Sequence, residues 1–69
     1  MSERVRAAVQ RLPAAQQAVV AMAYYEGHTL KEVASALGVP EGTVKSRMRA
    51  ALLRLNGWLA PEGEEMVSR

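Results

Sequence analysis

The sequence contains no cysteine and no long run of apolar residues. Without cysteine, neither a disulfide framework nor a thiolate metal site can form. No apolar stretch approaches the roughly 18 residues that a membrane-spanning helix needs, and the first residues lack the apolar core of a signal peptide. We therefore expect a cytoplasmic protein with no membrane contact of its own.

Groups suited to catalysis are also scarce. The single histidine, His28, has no cysteine partner and no nearby carboxylate pair, so we expect a loop residue and not a ligand or catalyst. The sequence shows no Ser/His/Asp spacing, no glycine-rich phosphate loop and no pair of carboxylates in an apolar setting. We expect neither an enzyme nor a metal site, and we expect no cofactor and no small-molecule substrate.

The positive charge is small but concentrated. A net charge of +2 over 69 residues does not by itself indicate a nucleic-acid partner. Four bases nevertheless fall in one short window that contains no acid: Lys45, Arg47, Arg49 and Arg54. Three acids cluster near the C-terminus instead: Glu62, Glu64 and Glu65. Such local asymmetry is typical of an electrostatic footprint for a polyanion.

The first half of the chain predicts two helices separated by Pro13. The first helix begins after Ser2, a good N-cap residue, and carries apolar residues at helical spacing up to Leu12. Proline suits the first position of a new helix, so Pro13 starts the second. That helix covers residues 14–26, and Gly27 ends it.

The second half predicts a helix-turn-helix. Thr29 and Glu32 have capping-box spacing, which predicts a short third helix over residues 30–37. The tight turn "GVP" follows, and a fourth helix runs from about residue 41 to between residues 55 and 59. Two helices joined by a short glycine-containing turn form the helix-turn-helix pattern. We therefore predict one all-α, four-helix domain over residues 1–60 and a flexible tail over residues 61–69.

The fourth helix carries a basic face near its start. At about 100° per residue, Val44 marks the centre of a buried stripe that includes Met48, Ala51 and Leu55, with Leu52 beside it. The opposite face and its flanks are small or basic: Gly42, Thr43, Lys45, Ser46, Arg47 and Arg49. Lysine and arginine can reach phosphates or guanine, and serine or threonine can contact either. A solvated basic surface is the ordinary alternative, but the place of this face on the second helix of a helix-turn-helix favours DNA binding.

These segments resemble region 4 of bacterial sigma factors, most closely the extracytoplasmic-function (ECF) group. The similarity rests on "LP" at residues 12–13, "YYEGHTLKEVASALGVPEGTVKSR" at residues 24–47 and "MRAALLRL" at residues 48–55. It implies a fold of the winged-helix-like or sigma region 4 type, whose last helix reads the double-stranded −35 promoter element in transcription initiation. The resemblance implies two sets of DNA contacts. The fourth helix would supply the DNA-facing set: Thr43, Lys45, Ser46, Arg47 and Arg49. At the start of the third helix, Thr29 and Lys31 would contact backbone phosphates.

The resemblance also implies protein partners, namely the flap of the RNA polymerase β subunit and an anti-sigma factor. The second helix is too apolar to be buried on every side in so small a domain, and Leu53 points away from the buried stripe. We therefore expect an apolar partner surface with these residues: Val20, Tyr24, Leu53 and Trp58. Two other interpretations stay open, an output domain of a response-regulator type transcription factor and a module that mainly binds an anti-sigma factor.

Two departures from the family pattern limit what can be carried over. The family often has an arginine at the position of Ala50, whereas here the arginine is Arg49, so the promoter sequence is not predicted. A whole sigma factor also needs region 2, which opens DNA at the −10 element, and these 69 residues contain nothing that could supply it. A domain of a longer protein and a free-standing homologue are both compatible with this, and we favour the domain of a longer protein.

Overall fold

The computed structural model describes residues 3–59, which form four α-helices and one π-helical turn. The elements follow one another along the chain: α1 Glu3–Val9, α2 Ala14–Val20, the π turn Ala21–Tyr25, α3 Leu30–Leu37 and α4 Glu41–Leu59. The described range contains no strand, so the predicted all-α, four-helix fold is confirmed. The predicted N-cap Ser2 and the predicted tail over residues 61–69 lie outside the described residues.

The helix-turn-helix has the boundaries that its sequence signals predict. The Glu32 amide donates to Oγ1 of Thr29 at 3.1 Å, and the Thr29 amide donates to Oε1 of Glu32 at 2.9 Å, which completes the capping box of α3. Gly38 ends α3 in the left-handed region with φ of 70°, a conformation that glycine adopts without the strain of a side chain. The carbonyl of Pro40 then accepts the first amide hydrogen bond of α4, from Thr43 at 3.0 Å.

The second predicted helix is only partly α-helical. α2 begins after Pro13, which is its N-cap, and it ends at Val20. The next residues form the π turn, in which the Glu26 amide donates to the carbonyl of Ala21 at 3.2 Å. The prediction of one continuous α-helix over residues 14–26 is therefore wrong in its second half. A π turn holds more residues than an α turn, so it changes which side chains face the core.

The core lies where α4 crosses the other helices. Ten aliphatic side chains from all four helices and the turn after α1 are buried: Ala8, Val9, Leu12, Val19, Val20, Val33, Ala34, Val44, Ala51 and Leu55. α4 packs against α1, α2 and α3, so one face of this long helix supplies the centre of the domain. None of the helices within residues 3–59 is both long and apolar enough to cross a membrane.

The C-terminal end of α4 is attached to the region of α1. The guanidinium of Arg4 donates to the carbonyl of Leu59 at 3.1 Å. The guanidinium of Arg11 lies 4.3 Å from the centre of the Trp58 ring, a cation–π contact that contributes about 0.5–1 kcal/mol at an exposed site. The C-terminal end of α4 is therefore held against the region of α1.

Candidate nucleic-acid interface

An open groove runs along α4 beside the start of α3. Its volume is about 1080 Å³, and we call it the α4 groove. Apolar side chains line one part of the groove and small, polar or basic residues line the other: Leu30, Gly42, Lys45, Ser46, Met48, Arg49, Leu52, Leu53 and Asn56. A groove with both characters along one helix can contact a polyanion at one end and an apolar partner at the other.

The basic part of the α4 groove follows from helical spacing. Gly42, Lys45, Ser46 and Arg49 stand at i, i+3, i+4 and i+7, so they share one face of α4. All four are exposed, because Val44 turns the opposite side of the helix into the core. The structure thus brings together Lys45, Ser46 and Arg49, as the helical pattern predicts.

The remaining predicted residues of α4 lie on another flank of the helix. Thr43 and Arg47 are half-buried and do not line the α4 groove. They stand four residues apart, and Arg47 precedes the exposed Arg54 by seven, so the three form a second row along α4. A helix lying in a DNA groove has a phosphate backbone on each side, so two flanks are compatible with one DNA partner.

The start of α3 places the last two predicted residues. Thr29 and Lys31 are both exposed. Oγ1 of Thr29 accepts the Glu32 amide, and the Thr29 hydroxyl also forms a hydrogen bond with the Glu32 carboxylate. Leu30, between them, turns into the α4 groove, so the start of α3 and the basic part of α4 border the same space.

The bases of α4 form no ion pair with any residue in the range 3–59. Both ion pairs in that range involve His28 instead. α4 carries one acid, Glu41 in its first turn. Bases in the first turns of a helix are unfavourable next to the positive end of the helix dipole, so helix stability does not account for Lys45 and Arg47. An external anion would compensate them.

His28 lies between two carboxylates. Its Nε2 is 3.2 Å from Oε1 of Glu26, and its Nδ1 is 3.5 Å from Oε1 of Glu32. The expectation that His28 has no nearby carboxylate pair is therefore wrong, because the turn through Gly27 brings Glu26 back towards the start of α3. Within residues 3–59 no group of His, Asp or Glu side chains is arranged to hold a metal ion.

The pKa of Glu32 lies below the usual value of a glutamate. The main cause is the amide of Thr29, which donates a hydrogen bond to the carboxylate; partial desolvation opposes this effect, and His28 lowers the pKa further. The charged form of Glu32 is thus the form that the folded domain prefers. Its charge links the stability of the α3 N-terminus to pH.

We expect acid to weaken the start of α3. Because folding lowers the pKa of Glu32, its stabilising effect is complete above the unfolded pKa and is lost as the pH falls through the lower, folded pKa. The melting temperature of the wild type should therefore fall more steeply in the acid range than that of Glu32→Gln, whose amide oxygen keeps a capping-box bond at every pH. Circular dichroism melts at a series of pH values measure this difference. Parallel curves for the two proteins would contradict the prediction.

Exposed apolar side chains form a second surface, which overlaps the α4 groove at Leu52 and Leu53. Tyr24, Leu52 and Leu53 are 54%, 44% and 66% exposed, and we call them the apolar surface. A hollow of about 290 Å³ beside Tyr24 shares Leu52 and Asn56 with the α4 groove, so the apolar surface and the groove are continuous. Sequence reasoning placed Leu52 beside the buried stripe and missed Asn56, which stands seven residues after Arg49 on the same face.

The predicted partner surface is wrong at Val20. This side chain is 0% exposed and belongs to the core, because α2 turns it inwards before the π turn begins. Trp58 is half-buried against the core and covered by Arg11. It stands about 140° around α4 from Leu53, so the structure does not bring these two together. Tyr24 and Leu53 are the two members of the predicted set that the structure leaves widely exposed.

Comparison with known proteins decides the family. The family described as "Sigma-70, region 4" matches residues 2–55, most of the chain. The chain belongs to this family. The resemblance to region 4 that the sequence analysis describes is thereby confirmed, and sigma region 4 is a DNA-binding family and not a family of enzymes.

Similar full-length proteins are ECF RNA polymerase sigma factors. RpoE of Cereibacter sphaeroides is 46% identical over 52 residues, which cover 75% of this chain and 29% of the relative. SigM of Mycobacterium tuberculosis is 47% identical over 58 residues, which cover 80% and 30%. SigL of the same species is 42% identical over 48 residues, which cover 70% and 27%. The region 4 chain thus spans less than a third of the length of these relatives.

Arg49 and Ala50 differ in their position relative to the α4 groove. Arg49 is exposed and lines the α4 groove with Lys45, whereas Ala50 is half-buried and does not line the groove. In this region 4 domain the guanidinium next to the groove therefore comes from position 49. Arg49 is the group to test for base reading.

Proposed function

We propose that this region 4 domain binds the double-stranded −35 element of promoters as part of an ECF sigma factor, in the bacterial cytoplasm. The observation that carries the proposal is the basic part of the α4 groove. It combines exposed bases, small residues and an absence of ion pairs within residues 3–59, on the second helix of a helix-turn-helix. The family match favours this function over the output domain of a response regulator.

Each side chain has a role that its chemistry supports. Lys45 and Arg49 donate from the groove face towards base edges or phosphates, and Ser46 contacts either. Thr43 and Arg47 contact the sugar-phosphate backbone from the other flank of α4. Thr29 and Lys31 contact phosphates from the start of α3, which fixes the angle at which α4 enters the major groove.

The apolar surface serves a protein partner in this proposal. Exposed apolar side chains that lie together mark protein-binding sites more often than isolated ones do. We propose that Tyr24, Leu52 and Leu53 dock on the flap of the RNA polymerase β subunit or are covered by an anti-sigma factor. Because Leu52 and Leu53 also line the α4 groove, a partner that covers them extends towards Arg49 and competes with DNA.

Selection from a pool of random duplexes tests the DNA-binding proposal. The domain is incubated with the pool at low salt, and the retained duplexes are sequenced and then titrated with salt. We expect enrichment of one short motif. With Lys31, Lys45 and Arg47 on phosphates, log K should fall against log salt with a slope of about −2.7, so a fourfold rise in salt weakens binding roughly 40-fold.

The same titration separates DNA binding from a role limited to protein binding. Contacts made by apolar side chains depend little on salt, whereas phosphate contacts release counterions. Retention of every duplex alike, or of none, would contradict the −35 proposal. The domain would then act mainly through the apolar surface, as a module that an anti-sigma factor binds.

A further inference from the structure

Gly42 occupies an unfavourable position for glycine. It is the second residue of α4 and it is exposed. Glycine loses more backbone freedom in a helix than any other residue and stabilises it less than alanine does. Helix stability therefore does not account for a glycine here.

No contact within the protein requires Gly42. A Cβ atom built at this position meets no heavy atom of residues 3–59 within 4 Å, apart from its two chain neighbours and the adjacent backbone of α4. Its backbone also lies outside the left-handed region, unlike Gly27 and Gly38, whose φ angles are 72° and 70°. Alanine would therefore fit the folded domain without strain and without a clash.

The space that a side chain would enter is the α4 groove. Gly42 shares one helical face with Lys45, Ser46 and Arg49, and all four line the groove. The absent side chain thus leaves free the part of the surface that the basic groups surround. This is the part that would lie nearest to a bound duplex.

We propose that Gly42 sets how closely α4 approaches DNA. The inference rests on the proposed function. Gly42 acts as a positioning residue, because its bare backbone lets α4 lie deep enough in the DNA groove for Lys45 and Ser46 to form hydrogen bonds with the DNA. A methyl group adds roughly 1.5 Å of reach at the closest point. Hydrogen bonds from Lys45 and Ser46 prefer donor–acceptor distances of about 3 Å and are lost when a displacement of that size stretches them.

Gly57 provides a matched control in the same helix. It is exposed, and a Cβ built there also meets no other group of the described residues within 4 Å, but it lies outside the α4 groove near the C-terminal end of α4. Replacing either glycine by alanine removes backbone freedom from the unfolded chain. Both variants should fold, and Gly57→Ala should raise the melting temperature by roughly 2–8 °C.

The experiment compares the affinities of the wild type, Gly42→Ala and Gly57→Ala for the duplex that the wild type enriches from the random pool. We expect Gly42→Ala to weaken binding roughly tenfold or more while its melting temperature stays at or above that of the wild type, and Gly57→Ala to bind as the wild type does. Gly42→Leu, with a larger side chain that also suits a helix, should weaken binding further.

The outcomes separate this inference from the function on which it rests. If the wild type enriches a motif and Gly42→Ala binds it equally well, the positioning role is wrong and the −35 proposal stands. An equal loss in both alanine variants would also overturn the positioning role, because the loss would not depend on the groove. If the wild type enriches no motif, the −35 proposal fails and the inference fails with it.

Discussion

Val44→Asp should unfold the domain. Val44 is 0% exposed and lies at the centre of the core, where α4 meets the other helices. The change removes about 1.5–3 kcal/mol of apolar burial and places a carboxyl group among aliphatic side chains with no polar partner. The combined cost, roughly 4 kcal/mol or more, is comparable with the whole stability of a domain this small. Circular dichroism at 25 °C should show loss of most helical signal.

Leu53→Asp is the matched control for this prediction. It makes the same kind of change, apolar to acidic, nine residues further along α4, but Leu53 is 66% exposed. Its carboxylate stays in water, so the variant should fold with a melting temperature close to that of the wild type. A folded Val44→Asp protein that had only lost DNA binding would mean that the faces of α4 are assigned wrongly.

Arg49→Ala should weaken binding to the selected duplex by about 1–3 kcal/mol, roughly 5- to 150-fold. Arg49 is exposed and lines the α4 groove beside Lys45. A base-edge contact also carries sequence information. The variant should therefore accept more sequences when the selection is repeated, in addition to binding each of them less tightly.

Arg6→Ala controls for the loss of one positive charge. Arg6 is exposed on α1 and lines a separate hollow with Tyr25, away from the α4 groove. Its removal should leave both affinity and sequence preference nearly unchanged. If Arg49→Ala lowers the affinity for all duplexes uniformly and makes the salt slope shallower by about 1, Arg49 is a phosphate contact and not a base reader.

The helix-turn-helix could be predicted from sequence because its signals are local. Thr29 and Glu32 cap α3 through hydrogen bonds that span three residues, and Gly38 ends the helix with its own backbone conformation. The buried side of α4 follows equally from spacing around Val44. These features depend on neighbouring residues alone, so a single sequence contains the information.

The π turn after α2 could not be predicted in this way. An α-helix would place Tyr24 one turn after Val20, on the same face, which led to the expectation that both belong to one partner surface. Both residues line the hollow beside Tyr24, but Val20 is 0% exposed and packs in the core, whereas Tyr24 is 54% exposed. Whether a helix widens at one turn depends on how its side chains fit the helices they contact, and spacing within one segment does not contain that fit.

The α4 groove likewise has features that the sequence determines and features that only the tertiary structure determines. The charge, the small residues and the face of α4 that carries them follow from the order of amino acids, because helical periodicity places Lys45 and Arg49 together in any straight helix. The apolar part of the groove required packing: the other helices leave Leu52 and Leu53 uncovered, and Leu30 arrives from α3. Local bonding therefore specified the helices and their polar face, whereas contacts between distant segments decided which apolar side chains remained exposed for a partner.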